Sequence, residues 1–442
     1  MRRGRRAGAG PEAVSAGLAA GLFFAFAPLP VQVAVAADMG LSETEAARWI
    51  FVVWATGAVA SAVMSVAYRQ PIAITWSILG LLYLGSVAGD HSFEELVGAN
   101  LVAGVAILAL ALAGVGERVM RLVPLPIVLG MFAGSVLEFV TGAVTATAAD
   151  GLVGGAAIGG YLAARAAGSR WVPPVAVAVA CGVAAVAAGG GIAPVDLGWS
   201  APPLAPPGIA FSPDALLTVS PPLVVMALAL GNIQGLGYLG AQGYRVPVNA
   251  VSIAVGAGSI ANALLGGHQA SVGRGTTAIV AGPDAGPVAG RHWASVIASV
   301  LALGIALAAG LVVAIVGALP PSFVAVVTGL AVLSTFQDSL ARALGGEMRT
   351  GALTAFLVAA TPVSAAGLGS STWALIAGVA VSLAVDRQAT TASRPSSAFI
   401  PSSRAVRSAL ARWASAAAAW RSPAPSRSAL ASSKEAHADS GR

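Results

Sequence analysis

Charged residues are scarce in this chain. They make up 10% of its 442 residues, and the only lysine is Lys434. A soluble domain usually carries about 25% charged residues, so the composition, with 57% hydrophobic residues and a mean hydropathy of +0.83, excludes an ordinary soluble fold. A basic balance suggests nucleic acid in a soluble protein. Here the arginines flank apolar runs, so no nucleic-acid partner is expected.

Residues that build disulfides, metal sites and active sites are also few. The single Cys181 excludes a disulfide framework and a cysteine metal site. The four histidines are scattered and lack metal-ligand spacing. No paired carboxylates, HExxH motif or nucleophile–base pair is present. The sequence therefore predicts no metal, no cofactor and no enzymatic activity.

What the chain does have is apolar runs of about 20 residues, bounded by charges or by Gly and Pro. Such runs are typical of an all-α polytopic membrane protein, and the bilayer is its expected environment. They predict fourteen transmembrane spans. These lie at 12–36, 46–67, 71–88, 95–115, 122–143, 147–164, 172–190, 215–239, 248–265, 268–281, 293–317, 320–340, 350–367 and 370–386.

Arginines alternate with these spans. Residues 1–387 contain sixteen arginines, and fourteen of them fall on cytoplasmic segments if the N-terminus is cytoplasmic. The exceptions are Arg48, near acidic residues on the opposite side, and Arg274, inside the membrane. This is the positive-inside pattern. It predicts a multi-pass protein of the cytoplasmic membrane with both termini in the cytoplasm.

The same count divides the chain. After a basic N-terminus (1–11), seven spans (12–190) are followed by a Pro/Gly-rich extracellular linker (191–214) and seven more spans (215–386). Because seven is odd, the second half enters the membrane from the opposite side, as in the inverted repeats of secondary transporters. A cytoplasmic tail (387–442) follows.

Both termini allow a second interpretation. The start, MRRGRRAGAG with an apolar run and AVAAD, mimics a cleavable signal peptide. We expect a retained first span, because the arginine pattern requires it. The tail is Ser/Ala/Arg-rich and is expected to be mostly disordered. Its Val406, Leu410, Trp413 and Trp420 share one helical face, which also fits an amphipathic helix on the inner leaflet.

The third span of each half is unusual. RQPIAITWSILGLLYLG (69–85) opens with a proline, and its counterpart 268–281 has only fourteen residues. A helix of that length reaches about 21 Å, against roughly 30 Å of hydrocarbon. We expect a short extended piece followed by a half-helix in each. Open backbone at this depth is tolerated where it lines a cavity, and paired interrupted spans point to a transporter's binding site.

Arg274 lies in the second of these spans, within GGHQASVGRGTTAIVAGPDAG (266–286). A charge at mid-membrane costs about 2.5–3.5 kcal/mol on insertion scales and needs a partner. Three interpretations of the role of Arg274 stay open. The side chain contacts an anionic substrate, forms a structural ion pair with Glu138 or Asp338, or snorkels to the cytoplasmic side.

Several motifs resemble the benzoate–proton symporter family (BenE type). The resemblance covers about residues 15–386, with motifs in both halves and in the right order. The motifs are YRQPIAITWS (68–77), FEELVGANLVAG (93–104), GERVMRLVPLPI (116–127), GNIQGLGYLGAQGYRVPVN (231–249), GGHQASVGRGTTAIVAGPDA (266–285) and GEMRTGALTAFLVAATPVSAAGLGS (346–370).

This resemblance implies a fold related to the uracil and sulphate permeases. Spans 1–4 and 8–11 would form a core domain and spans 5–7 and 12–14 a gate domain, with the third and tenth spans meeting as short strands with half-helices. Relatives of this fold suggest a homodimer through the gate domain. The sequence departs from the family pattern at the presumed site. TWSILG (75–80) lacks the family's proline, Ser271 replaces an asparagine, Arg274 replaces a small apolar residue, and Gln234 replaces a proline.

Nine residues are candidates to bind substrate, each with a purely structural alternative such as packing or interhelical hydrogen bonding. They are Gln32, Thr75, Trp76, Ser77, Asn232, Gln234, His268, Ser271 and Arg274. Two residues are candidates for proton coupling. Histidine titrates near neutral pH, which favours His268, and an intramembrane carboxylate can carry a proton, which favours Glu138.

The predicted function is a secondary active transporter that imports benzoate or a similar aromatic or organic carboxylate with a proton. The first alternative is a proton-coupled nucleobase or inorganic-anion permease of the same fold. A passive anion channel and a membrane-embedded enzyme are two further alternatives. No motif found in the sequence supports the enzyme.

Overall fold

A computed structural model describes most of the chain. The described residues are 8–26, 28–114, 124–168, 173–189, 191–195, 198–199, 201–202, 204–361 and 369–386. The predictions made for residues 1–7 of the basic N-terminus and for the tail 387–442 therefore lie outside the described residues.

The part of the chain before the predicted linker is a series of helices interrupted by one short strand. Its elements are α1 (Pro11–Phe26), α2 (Pro28–Asp38), α3 (Glu43–Tyr68), β1 (Ile74–Trp76), α4 (Ile78–Ser86), α5 (Phe93–Leu112), α6 (Leu125–Ser135), α7 (Leu137–Ala149), α8 (Gly151–Ala167) and α9 (Pro174–Ala188).

The part after the linker has the same character and a second strand. Its elements are α10 (Pro213–Thr218), α11 (Ser220–Val225), a π-helix (Met226–Asn232), α12 (Ile233–Ala241), α13 (Val248–Leu264), β2 (Ala270–Val272), α14 (Arg274–Ala281), two 3₁₀ turns (Pro283–Ala285 and Val288–Gly290), α15 (His292–Leu307), α16 (Ala309–Gly317), α17 (Pro321–Leu344), α18 (Arg349–Ala359), α19 (Ser370–Val381) and a π-helix (Ser382–Asp386).

Seven helical stretches of the described residues are long and apolar enough to cross a membrane, and four more apolar helices are shorter. The protein is thus a mostly helical, multi-pass membrane protein. Several predicted spans differ in detail from the structure, among them the eighth and the fifth. The eighth is not one regular helix, because α10 and α11 break at Val219 and a π-helix follows. The fifth extends to Ala149, because Asp150 caps the next helix by accepting from the Val153 amide at 3.1 Å.

Local sequence explains several helix starts. α3 and α5 begin with capping boxes, Ser42 with Glu45 and Ser92 with Glu95, in which each side chain binds the other residue's backbone amide. Such boxes satisfy amides that the first turn would otherwise leave unpaired. Several other helices carry proline at their first positions, where a missing N–H does no harm. The apolar runs therefore begin as helices at defined residues.

Residues 1–392 form one compact unit, and its main helix contacts fall into two sets, which we call the first and the second bundle. In the first bundle α5 packs on α13, α3 on α15, and α1 on α15 and α14. In the second bundle α6 packs on α18, α18 on α19, α7 on α17, and α8 on α9. Most of these pairings join an element of the first half to an element of the second half. The two halves are therefore interleaved.

Four pairs of elements, one member in each half, are separated by the same offset. α4 begins at Ile78 and α14 at Arg274, which is 196 positions later. The same offset of 196 separates the starts of α6 and α17, at 125 and 321, and of α9 and α19, at 174 and 370. It also separates β1 from β2, at 74–76 and 270–272. The order of elements thus repeats along the chain although the residues do not.

Candidate functional site

Two short strands lie in the first bundle, where β1 packs on α3 and β2 packs on α13 and the π-helix. β1 and β2 pair antiparallel, with Ile74 opposite Val272, Thr75 opposite Ser271, and Trp76 opposite Ala270. Thr75 and Ser271 are themselves 196 positions apart, so the strand pair is symmetric about this residue pair. The extended piece followed by a short helix that was predicted for 69–85 and 268–281 is present in both places.

Backbone and side-chain hydrogen bonds hold the strands. The Ser77 amide donates to the Gln269 carbonyl at 3.1 Å, and the Gly273 amide donates to the Ala73 carbonyl at 2.9 Å. Asn232, at the end of the π-helix, accepts from the Val272 amide through Oδ1 at 3.0 Å. The irregular backbone is therefore satisfied inside the protein, as membrane depth requires.

The strands lead directly into two helix N-termini. α4 begins after Ser77, whose hydroxyl accepts from the Gly80 amide at 3.1 Å. α14 begins after Gly273 and has no side-chain cap. First-turn amides without helical partners and the positive end of the helix dipole both attract anions. The strand pair thus places two anion-attracting ends near each other.

A cavity of about 300 Å³ opens beside these ends. Its lining comes from both bundles. One part is aromatic or apolar, and another is cationic with hydroxyl groups. The aromatic members are Phe23, Phe24, Trp76 and Tyr161, and the charged members are Arg165, Arg274, Asp338 and Arg342.

The aromatic wall is a continuous set of ring contacts. Phe24 meets Trp76 edge-on with ring centroids 5.9 Å apart, and it meets Phe23 at 6.0 Å. Trp76 also contacts Trp54 at 6.0 Å and the His268 ring at 5.5 Å. Edge-to-face packing at these separations is favourable for aromatic rings, so the wall can accept a further aromatic ring.

Arg274 points into the cavity from the first residue of α14. Its Nη1 donates to Gln234 Oε1 at 3.2 Å, and its Nη2 lies 3.4 Å from Asp338 Oδ2. The side chains of Arg274 and Asp338 are 48% and 58% exposed. Arg274 therefore forms the ion pair with Asp338 and also faces a cavity large enough for a ligand. Its contact with a substrate stays a prediction.

Six of the nine predicted binding residues line this cavity: Thr75, Trp76, Ser77, Gln234, Ser271 and Arg274. The other three lie outside its lining. Asn232 binds β2. Gln32 is fully buried and accepts from the Trp54 indole N–H at 2.8 Å. His268 is fully buried between Trp49 and Trp76.

Among the described residues, these buried polar groups have atoms without a partner. They are Gln32 Nε2, Asn232 Nδ2 and both ring nitrogens of His268. Buried polar atoms are normally hydrogen-bonded, and exceptions need an explanation such as an ordered water or a functional role. The three residues therefore remain candidates behind the cavity wall.

Glu138 lies elsewhere. It lines a separate cavity of about 450 Å³ together with Asp90, Ser135 and Thr141. The ion-pair partner of Arg274 is thus Asp338, and Glu138 is placed apart from the strand pair and its cavity. No cluster of three His, Cys, Asp or Glu side chains suited to a metal ion occurs in the described part of the chain.

Sequence reasoning missed several cavity residues. The arginine pattern assigns Arg165 and Arg342 to cytoplasmic segments, and it leaves Asp338 as one of two alternative ion-pair partners of Arg274. Tyr161, whose hydroxyl accepts from Arg165 Nη1 at 3.3 Å, carries no motif. The packing of α8 and α17 opposite the strands brings them to the site, and no spacing in the sequence indicates that packing.

The comparisons with known proteins agree with this architecture. The family model of the benzoate membrane transport protein (BenE) matches residues 7–384. Inner membrane protein YdcO of Escherichia coli is 28% identical over 356 residues, which cover 79% of this chain and 90% of that protein. The benzoate membrane transport protein of Acinetobacter baylyi is 27% identical over 377 residues, covering 83% and 93%.

Two solved structures share the fold. The transmembrane domain of the cyanobacterial bicarbonate transporter BicA aligns with a TM-score of 0.53 at 17% identity, covering 85% of this chain and 97% of that one. Murine Solute Carrier 26 family member A9, an anion transporter in the inward-facing state, aligns with a TM-score of 0.55 at 12% identity, covering 86% and 68%. At these identities the likeness concerns the fold alone.

Proposed function

The chain belongs to the benzoate membrane transport protein family (BenE), and from this membership we propose that it imports benzoate or a similar aromatic or organic carboxylate together with a proton. It is a multi-pass membrane transport protein and not an enzyme. The class of substrate and the coupling to a proton are what we propose.

The observation that carries the proposal is the two-sided lining of the cavity. An aromatic carboxylate has an apolar ring and a single anionic end. The ring fits the wall formed by Phe24 and Trp76, and the carboxylate fits Arg274 and the first turns of α4 and α14. Ligand pockets of this kind are mostly apolar with a few placed polar groups, and about 300–1,000 Å³ is their usual volume.

The proposed mechanism is alternating access. The first bundle carries the strand pair, both half-helices and Gln234, while the second bundle supplies Tyr161, Arg165 and Asp338. A cavity between two bundles changes its accessible side when one moves against the other. We infer that the bundles correspond to the core and gate domains of a seven-plus-seven inverted repeat, which the 196-residue offset of the elements supports.

His268 and Glu138 remain the two candidates for the coupled proton. The His268 ring is in contact with Trp76, so a change in its protonation would act directly on the cavity wall. Glu138 lines the second cavity and would bind a proton there. An importer of a carboxylate with a proton needs a group that holds the proton while the anion is bound.

A second candidate is a permease for an inorganic anion or a nucleobase. The cationic side of the cavity favours an anion of any kind, because three arginines and one aspartate line it. The fold is also shared with a bicarbonate transporter and an anion transporter. The aromatic wall has no role in binding an inorganic anion, which is why we prefer the carboxylate.

Proton influx into proteoliposomes tests the proposal. An internal pH dye would report acidification on addition of benzoate, substituted benzoates, uracil or sulphate, for the wild type, Arg274→Ala and Arg349→Ala. Arg349 is exposed and lies outside the cavity lining, so its variant is the matched control. We expect benzoate or a substituted benzoate to acidify the lumen.

Arg274→Ala should lose most of this signal while Arg349→Ala keeps it. Acidification driven by sulphate or uracil alone would establish the second candidate. Benzoate-driven acidification that survives in Arg274→Ala would show that the helix ends and polar side chains bind the carboxylate without this arginine.

A further inference from the structure

The ion pair between Arg274 and Asp338 connects the two bundles. Arg274 begins α14, which packs on α1 and α12 in the first bundle. Asp338 lies in α17, which packs on α6, α7, α8 and α9 in the second bundle and also on α2, the neighbour of α1 and α4. A contact between the two side chains therefore joins the two bodies whose relative movement changes access to the cavity.

The side chains of Arg274 and Asp338 differ in how they are held in place. Arg274 is also bound within its own bundle, since Nη1 donates to Gln234 while Nη2 faces Asp338. The guanidinium would keep the Gln234 contact if Asp338 moved away. Asp338 can thus be exchanged without losing the position of the arginine.

The geometry of the pair favours exchange. The separation of Nη2 from Oδ2 is 3.4 Å and a single pair of atoms makes the contact, whereas charge-assisted hydrogen bonds are typically about 2.7–2.9 Å and arginine–carboxylate pairs are frequently bidentate. Both side chains are about half exposed to the cavity. An anion in the cavity can reach the guanidinium and bind it better than Asp338 does.

We propose that the Arg274–Asp338 ion pair is a latch that holds the two bundles in the arrangement seen here, and that the substrate's own anionic group releases it by replacing Asp338 on Arg274. The second half of this statement rests on the proposed function. A ligand shifts a conformational equilibrium only through its different affinity for the two states. Competition for one arginine supplies that difference and requires the substrate to be an anion.

A ligand-free experiment tests the latch. The natural Cys181 would be replaced by Ala and Ser334 by Cys, because Ser334 is exposed and lines the cavity one turn before Asp338. The rate of maleimide labelling in nanodiscs then reports how often this cavity is open. It would be measured in this background alone, with Asp338→Asn, with Arg274→Gln, and with both changes.

The latch predicts that each single change slows labelling about two- to fivefold, the range of an exposed ion pair. The double variant should be no slower than either single one, because both remove the same contact. Glu347→Gln removes an exposed carboxylate near the same helix end but outside the cavity lining, and should leave the rate unchanged. Asp338→Glu should retain labelling, and size-exclusion profiles check folding.

Two results would overturn the latch. Single changes that shift the rate in opposite directions would mean that the charges act only on the reactivity of the thiol. Equal rates in all four proteins, or effects that add in the double variant, would mean that the pair does not set the arrangement.

Benzoate and its neutral analogue benzamide give the second arm, by calorimetric titration of the same variants. Asp338→Asn should tighten benzoate binding several-fold when Arg274 is present, should not do so in Arg274→Gln, and should leave benzamide unaffected. Tightening that persists in Arg274→Gln would refute the competition. The labelling rates could follow the latch prediction, with a double variant no slower than the single ones, while no variant binds benzoate. That result would retain the latch and reject the proposed substrate.

Discussion

Asn232 shows how one side chain fixes the site without lining it. It is 2% exposed at the end of the π-helix, and its Oδ1 accepts from the Val272 amide at 3.0 Å. The hydrogen bond joins the eighth predicted span to the last residue of β2. A residue that holds β2 in place affects the cavity by positioning its lining. Removing that residue should therefore lower the stability of the protein.

We expect Asn232→Leu to destabilise the protein by about 1–3 kcal/mol, because it leaves the buried Val272 amide without an acceptor. The midpoint of thermal unfolding in detergent measures this. Asn249→Leu is the matched control, since Asn249 is exposed on α13. A variant with an unchanged midpoint and a weakened benzoate affinity would instead make Asn232 a direct ligand.

The sequence indicated that Arg274 lies in the membrane and needs a partner for its charge, but it left three interpretations open. Asp338 is 64 positions away from Arg274 and Glu138 is 136 positions away, so sequence distance does not choose between them. The choice depends on which helix of the second bundle faces α14. That is α17, and Glu138 faces another cavity.

At the scale of single elements, close helix contacts depend on residues without side chains. A Cβ built on Gly130 of α6 would overlap the Ala352 carbonyl oxygen of α18. Small residues at such contacts let membrane helices approach closely. The obstacle is backbone, so no side-chain rotation relieves it.

Gly130→Ala should therefore destabilise the second bundle by about 1–3 kcal/mol, the usual cost of overpacking. Gly142→Ala is the control in the neighbouring helix α7, because nothing lies within 4 Å of its built Cβ. The control should be neutral or gain up to about 1 kcal/mol from helix propensity. Equal losses of thermal stability in both variants would contradict an explanation from helix packing.

The sequence predicts where a span is interrupted better than it predicts which helices pack together. The proline of RQPIAITWS and the shortness of 268–281 indicated the extended pieces, because a short span cannot cross the membrane as a helix. The π-helix at Met226–Asn232 carries no comparable signal. It depends on tertiary contacts, such as the close approach of Gly231 to the Ser271 hydroxyl, which π-bulges often accommodate at functional sites.

At the scale of the whole molecule, four pairs of elements share an offset of 196 residues, which supports the proposed repeat of the two halves. The halves are interleaved, and the strands pair across them at Thr75 and Ser271. Span counting in the sequence suggested the repeat. It could not assign helices to bundles, because lipid-facing and buried apolar residues look alike when the solvent is itself apolar.

The arginines predict the orientation in the membrane, and labelling of two cysteines tests this prediction. In a Cys181→Ala background, Gly191→Cys lies in the predicted extracellular linker and Gly346→Cys lies between α17 and α18. Both positions are exposed, and neither built Cβ has an atom closer than 3.5 Å. We expect a membrane-impermeant maleimide to label Gly191→Cys in intact cells and Gly346→Cys only after permeabilisation.

The two sites together separate two kinds of error, because they test both the direction and the parity of the spans between them. Reversed labelling would keep the span count and invert the protein, which would contradict the positive-inside interpretation. Labelling of both sites from outside would require an even number of crossings between 191 and 346. That result would contradict the five spans predicted between the two sites, and with them the seven-span second half that the seven-plus-seven repeat requires.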